Sequence, residues 1–247
     1  MNKLTRIIIT TSSSLGILLA TLLAQSPNPA VELRAPAPAV HRAVGHAHVL
    51  PPISQIYSRY QAKWWQWAMS LPLDRHPLTD TADCNEGQSG PVWFLGGLFD
   101  NGIADRTCTV PAGKALFFPV LNISYFLTDP ADTEENARAL IGTIMDNIVR
   151  MSVEIDGRPV RNLDRFRTQS KLFNVGPLPA NAVFELPEGE TIATVDDGVY
   201  ILLQPLAPGE HTIHFSGEVF VPEEVLGFEY TFTQEATYHI TAGGRNR

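Results

Sequence analysis

The sequence predicts a mainly β fold: an antiparallel β-sandwich of jelly-roll or immunoglobulin-like type, with two packing α-helices and one disulfide. Three observations carry this expectation. Short apolar runs divided by turn residues recur along the chain, above all after residue 150. Two stretches show the three-to-four-residue apolar spacing of a helix. Cys84 and Cys108, the two cysteines, follow an N-terminal segment with the pattern of an export signal, and cysteines in exported chains usually pair.

The elements follow in order. Lys3 and Arg6 precede an apolar run from Ile7 to Leu23 that closes on the small residue Ala24, so residues 1–24 read as a signal peptide. The rival reading is a retained anchor, but the run falls short of the ~20 apolar residues that span a bilayer, and no later segment is apolar enough. Residues 25–52 are rich in Pro and Ala and read as a linker or extended arm; it contains His41, His46 and His48.

Ser54 is placed to cap a helix over SQIYSRYQAKWWQWAMSL, which Pro72 ends. Ile56, Tyr60, Trp64, Trp67 and Leu71 form its apolar stripe. Trp64 and Trp65 lie about 100° apart around the axis, so they cannot face one neighbour. Core packing and a cleft-lining indole are both open readings.

Residues 72–90 form a turn-rich acidic loop. Val92–Leu95, Thr107–Val110 and Ala115–Leu121 read as strands, with Pro111 to Lys114 as a tight turn. Their near-continuous apolar character predicts burial on both faces, or cover by the Trp helix. Asp132 or Thr133 starts the second helix. Glu134 and Glu135 suit its positive end, and Ala137, Leu140, Ile141, Ile144, Met145 and Ile148 form its apolar face.

From Met151 onward the chain reads as strands. Asp156-Gly157 between MSVEID and RPV is a hairpin signal. AVFEL, VYILLQPL, HTIHFSGEVF and FEYTFTQEATYHITA follow, with Asp196-Asp197-Gly198 and Pro208-Gly209 read as turns. The expected domain spans 53–242, with a sub-boundary near 150 left open and a tail at 243–247.

Several of these segments occur together in a way that supports a comparison. W-W-Q-W-A-x-S-x-P, H-P-L-x-D, C-x(3)-Q-x-G-P-V-W-F-L-x-G, R-x-C-x-V-P-A-G-K-A-L-F-F-P-V and P-G-E-H-T-I-H-F stand in that order over roughly residues 54–240. The pattern resembles a family of exported microbial proteins of unknown function. The resemblance implies an exported β-sandwich-like protein and brings no activity or catalytic residue with it.

Charge narrows the function classes. The chain carries 26 acidic against 18 basic residues, a formal charge of −8, with no basic stripe. That argues against a nucleic-acid partner. The expected disulfide Cys84–Cys108 closes a loop of ~25 residues, worth about 3.5 kcal/mol in the chain-entropy account.

Candidate ligand-binding residues are Trp64, Trp65, Trp67 and Trp93, since indole faces suit sugar rings and cations, with Arg106 and Lys114 placed to hold an anionic group. Arg106 pairing with Asp105 or the acidic loop is the plainer alternative. Metal candidates are Asp80, Asp83 and Glu86 for calcium, and His214 with His239 if their strands pair. Each set also reads as solvated surface. Catalytic candidates are His76 with Asp74 and Asp80, as acid–base partners. Gly87-Gln88-Ser89-Gly90 is only a fragment of a nucleophile elbow, and H-E-x-x-H is absent. Asn122-Ile123-Ser124 matches a glycosylation acceptor.

The leading expectation is a secreted or periplasmic binding module for carbohydrate or another cell-envelope or extracellular component, with its site between the Trp helix and loop 72–90. It needs no cofactor, calcium being the one candidate. The alternatives are a hydrolase or lyase acting on a polymer through His76, and a structural envelope protein.

Overall fold

A computed structural model of the protein describes residues 47–79 and 82–243. The expected signal peptide, the arm as far as residue 46 with His41 and His46, the candidate ligand Asp80, and the tail at 244–247 lie outside the described residues.

Helix α1 spans Ser54–Ala68. Strands β1 (Val92–Phe94), β2 (Gly102–Val110) and β3 (Ala115–Phe126) follow. Helix α2 (Glu134–Met145) leads into β4 (Ile148–Ile155), β5 (Arg158–Pro159), β6 (Arg167–Gln169) and β7 (Phe173–Val175). The chain ends with β8 (Ile192–Leu203), β9 (Gly209–Val221), the one-turn α3 (Glu223–Leu226) and β10 (Tyr230–Ala242).

The strands form two sheets. One has the order β1-β3-β8-β6, with β7 also on β8; the other runs β2-β10-β9-β4-β5. Phe118 of β3 stacks on Phe215 of β9 with centroids 5.1 Å apart, which brings the two sheets face to face. Gly217 permits the approach: a Cβ there would come within 2.4 Å of Leu121 Cγ. The sandwich is as expected, but the sheets are mixed rather than antiparallel. β1 runs parallel to β3, and β2 runs parallel to β10 from Gln234↔Gly102 to Ala242↔Val110. The cause is the turn at Pro111 to Lys114, which sends β2 and β3 into different sheets instead of closing a hairpin. Strands from either side of residue 150 pair in both sheets.

Helix α1 lies on the outer face of the first sheet. Tyr57 meets Phe117, Trp64 meets Tyr200 and Trp65 meets Phe126, at centroid distances of 5.9, 6.3 and 5.7 Å. β3 is therefore covered by α1 on one face and the second sheet on the other, which accounts for its unbroken apolar run. Ser54 is the first helical residue rather than the cap; Ile53 holds that place and offers no side-chain acceptor. The buried face is also rotated. It consists of Tyr57, Ser58, Gln61, Trp64, Trp65, Trp67 and Ala68, and Ile56 is exposed. Polar Ser58 and Gln61 sit inside because each finds a partner there: the Ser58 hydroxyl accepts from Lys171 N, and the Gln61 amide reaches Thr168 O and Asp196.

Helix α2 begins as expected, with the Thr133 hydroxyl accepting from Asn136 N at 3.2 Å. Its Ala137 and Ile141 pack on Val195, and Ile144 packs on Val219 and Val221. Asp156 and Gly157 take φ of 52° and 70° and close the β4–β5 hairpin.

Three local expectations are corrected. Ile148 is not on the second helix: α2 ends at Met145 and Ile148 opens β4. Residues 182–186 are not a strand: Val183–Glu185 form a 3-10 turn in which Phe184 has a φ of 66°. Asp196-Asp197-Gly198 is not a turn. β8 runs straight through it, and both carboxylates are fully buried. Gly198 is required at that point, since a Cβ would come within 2.6 Å of both Asn122 Cβ and Tyr200 Cε2.

The disulfide Cys84–Cys108 is formed, with both residues buried. It ties the acidic loop to β2. No helix among the described residues is long and apolar enough to cross a membrane.

Candidate functional site

β1 pairs with β3 only over Ala115 to Phe117, whereas β8 accompanies the other edge of β3 as far as Phe126. Beyond Phe117 the free edge of β3 is walled by Leu98, Phe99 and Phe184 instead of a strand. A partly open cavity of about 90 Å³ lies there, reaching round the edge of β3 from the α1 face, where Trp65, Asn122, Ser124 and Phe126 line it, to the space between the sheets. Phe126, Tyr230 and Phe232 complete its aromatic lining, and Leu121, Ile144, Met145 and Val219 its aliphatic one. That volume is roughly six times what one water molecule needs. Among the described residues, no charged side chain lines the cavity.

Its polar elements are few and mostly committed. Gln234, buried, donates from Nε2 to Val120 O at 2.7 Å and accepts from Leu98 N at 2.8 Å, so it fixes the wall. Ser124 is 5% exposed, and its Oγ has no hydrogen-bond partner among the described residues. Asn122 gives its Nδ2 to Tyr200 Oη at 2.9 Å and to Asp196 Oδ1 at 3.4 Å.

Asp196 lies directly behind this wall. It accepts from Trp65 Nε1 at 2.7 Å, Tyr200 Oη at 2.9 Å and Gln61 Nε2 at 3.0 Å. Burial outweighs these donors and pushes its pKa up to about 7; the neighbouring Asp197 charge pushes the same way. The Tyr200 phenol is held well above its usual range by burial, and then by Asp196. Asp197 has a different partner: Arg167 donates to its two oxygens at 3.1 and 2.9 Å, which raises the guanidinium pKa further. Trp65 and Asn122 therefore touch the cavity on one side and the buried carboxylate on the other.

The sequence candidates divide sharply around this centre. Trp64, Trp65 and Trp67 are all buried, and each indole N–H is bound, to Leu95 O, Asp196 and Glu86 O respectively. Trp65 is the one of the three that lines the cavity. Trp93 is also buried, with its Nε1 unpartnered among the described residues. None of the four offers an exposed stacking face.

Arg106 turns inward rather than toward Asp105. Its guanidinium donates to Gly96 O at 2.9 Å, Gly97 O at 3.0 Å and Thr79 O at 2.5 Å, and it also bonds Tyr238 Oη. Asp105 meets His239 instead, at 3.1 Å. Arg106 is thus an anchor for the backbone that continues into Leu98 and Phe99. Lys114 donates to Gly90 O and braces the turn before β1.

His76 is fully buried. Its Nδ1 accepts from Leu78 N at 3.3 Å, its Nε2 has no partner among the described residues, and burial lowers its pKa to about 4. An imidazole closed off in this way lacks the access that acid–base work on a polymer needs. Asp74 sits exposed on a 3-10 turn. Asp83 accepts from Asn85 N and Nδ2, and Glu86 pairs with Arg75 at 3.4 Å. His214 and His239 stand on the outer face but two register positions apart. His214 bonds Thr237 Oγ1 at 3.1 Å, whereas His239 faces Asp105. No group of three or more metal-ligating side chains occurs among the described residues. Asn122-Ile123-Ser124 lies on β3 with the Asn122 amide engaged inside, so it is not placed as a glycosylation acceptor.

Sequence reading missed Asp196, Tyr200, Gln61 and the inward role of Asn122. The available signal was two acids embedded between TV and VYILL, a flank too apolar for a surface turn.

No family model matches the chain, and no curated protein matches it. A chain of the solved complex "PbICP-C in complex with falcipain-2" aligns over 62% of this chain and 99% of its own length, at 12% identity and a TM-score of 0.22. A likeness at that TM-score carries no argument about fold or function.

Proposed function

We propose that this protein is an exported, non-catalytic binding module whose ligand is a small, mainly apolar molecule held at the free edge of β3. One observation carries the reading: a partly open aromatic cavity that meets no charged side chain among the described residues. Pockets of this kind bind apolar bodies, with a few polar atoms fixing orientation. The disulfide and the N-terminal apolar segment support export, because disulfides persist in oxidising compartments. A small ligand is favoured over a polysaccharide because the indoles that would stack on sugar rings are enclosed.

The test is calorimetric titration of the oxidised protein with single-ring neutral compounds and, separately, with soluble envelope oligosaccharides. Saturable binding of the ring compounds, weakened at least fivefold in Leu98→Trp, supports the cavity. Binding of an oligosaccharide that Leu98→Trp leaves unchanged would place the site elsewhere and remove this reading.

A further inference from the structure

The cavity is not uniformly apolar, and the chemistry of its polar corner restricts what it can hold. Tyr200 directs its hydroxyl hydrogen to Asp196 Oδ2, so toward Asn122 it can only accept. The amide nitrogen of Asn122 must therefore face Tyr200, as observed at 2.9 Å. Asn122 Oδ1 accepts no hydrogen bond among the described residues, and Asn122 lines the cavity. Ser124, two residues along the same strand and on the same face, adds a hydroxyl without a partner among the described residues. Buried polar atoms are normally satisfied, so this enclosed Ser124 hydroxyl calls for an explanation.

An acceptor beside a hydroxyl matches one head group best. A neutral hydroxyl on the ligand can donate to Asn122 Oδ1 while accepting from Ser124 Oγ–H. A carboxylate can do only the second. It would also enter, uncompensated, a cavity with no cationic side chain among its described lining residues and with Asp196 behind its wall. An ammonium group would be stripped of water among Phe99, Phe126, Phe184 and Phe232 with no carboxylate among the described residues that line the cavity.

Resting on the cavity reading above, we infer that the ligand is an uncharged phenol or alcohol of about ten non-hydrogen atoms, its hydroxyl seated between Asn122 Oδ1 and Ser124 Oγ and its apolar body among the phenylalanines.

Four probes of nearly equal size test this: 4-propylphenol, propylbenzene, 3-phenylpropanoate and 3-phenylpropylamine, titrated calorimetrically at pH 7.5 into the intact oxidised protein. The expected result is that 4-propylphenol binds at least tenfold more tightly than the other three. Ser124→Ala should narrow its advantage over propylbenzene to under threefold, and Ser124→Thr, which keeps a hydroxyl, should retain most of it. Near-UV circular dichroism reports whether each variant is folded. Equal binding of 4-propylphenol and propylbenzene, tighter binding of either ion, or an advantage unchanged in folded Ser124→Ala would overturn the hydroxyl assignment and leave the cavity reading standing. No saturable binding of any probe to folded protein would overturn both.

Discussion

The indole N–H of Trp65 and the Oδ1 of Asp196 meet at 2.7 Å inside the protein, joining the helix at residue 65 to the central strand 131 residues later. A fully buried carboxylate is expensive unless donors surround it. Trp65 supplies one of them and at the same time lines the cavity. Trp65→Phe should therefore cost about 2–4 kcal/mol in urea denaturation, combining a lost hydrogen bond to an acidic group with lost packing. Gln66→Ala, on the exposed side of the same helix, should stay within about 0.5 kcal/mol. A loss below 1 kcal/mol for Trp65→Phe would mean that the indole does not hold Asp196.

Two buried groups pull stability in opposite directions with pH. Asp196 titrates near 7 when folded and near 3.8 otherwise. Its pKa is raised by folding, so its contribution is complete below about pH 3.8 and is lost as pH climbs to 7. His76 titrates near 4 when folded and near 6.5 otherwise. Its contribution is complete above pH 6.5 and is lost as pH falls to 4. Between pH 4 and 6.5 the two slopes oppose, each on the order of 3 kcal/mol across the window. Chemical denaturation at pH 4, 5, 6 and 7 should show Asp196→Asn gaining stability with rising pH relative to the parent, and His76→Phe losing it. Identical profiles for all three proteins would contradict both assignments.

Arg106 offers a test of geometry against charge. Its planar donors reach three carbonyls and one phenol at once, which a lysine ammonium cannot copy. Arg106→Lys should lose about 2–4 kcal/mol of stability, and Arg106→Met no less, since the carbonyls of Gly96, Gly97 and Thr79 would be left without this donor. Because Leu98 and Phe99 follow directly, probe binding should weaken in both variants. Full stability of Arg106→Lys in urea would show that charge alone suffices.

The disulfide should act mainly on the unfolded chain. Cys84→Ala with Cys108→Ala frees a loop with a sequence separation of 24, and should lower stability by about 3.5 kcal/mol. Thermal melts of the double variant beside the oxidised parent check this. A melting temperature unchanged within a degree would exclude the role.

How far the sequence revealed all this depends on the range of the forces involved. Helix α2 was legible because its signals are local: Thr133 caps Asn136, and Ala137, Ile141 and Ile144 repeat on one face. The β4–β5 hairpin was legible from Asp156-Gly157 for the same reason. The disulfide followed from a count of two. The rotated face of α1 was not legible, because Gln61 is buried by a carboxylate 135 residues away. Asp196-Asp197-Gly198 carries strong local turn chemistry, and only remote partners reverse it: Trp65 and Gln61 for the first acid, Arg167 for the second, and the crowding of Asn122 and Tyr200 for the glycine. The cavity was hidden likewise. Asn122 and Ser124 spell a surface modification motif, and their inward direction depends on β8 lying alongside.

The parallel pairing of β2 with β10 has a kinetic corollary. The two strands are separated by more than a hundred residues, and every hydrogen bond between them waits for the end of the chain. Non-local contacts of this kind make folding slow, because loop closure must precede the contacts that reward it. Cys84 and Cys108 stand close enough in sequence to join early, yet β2 has no neighbour in its sheet until Gln234 and the residues after it are in place. The topology thus makes closure of the second sheet wait on β10, whatever forms before it.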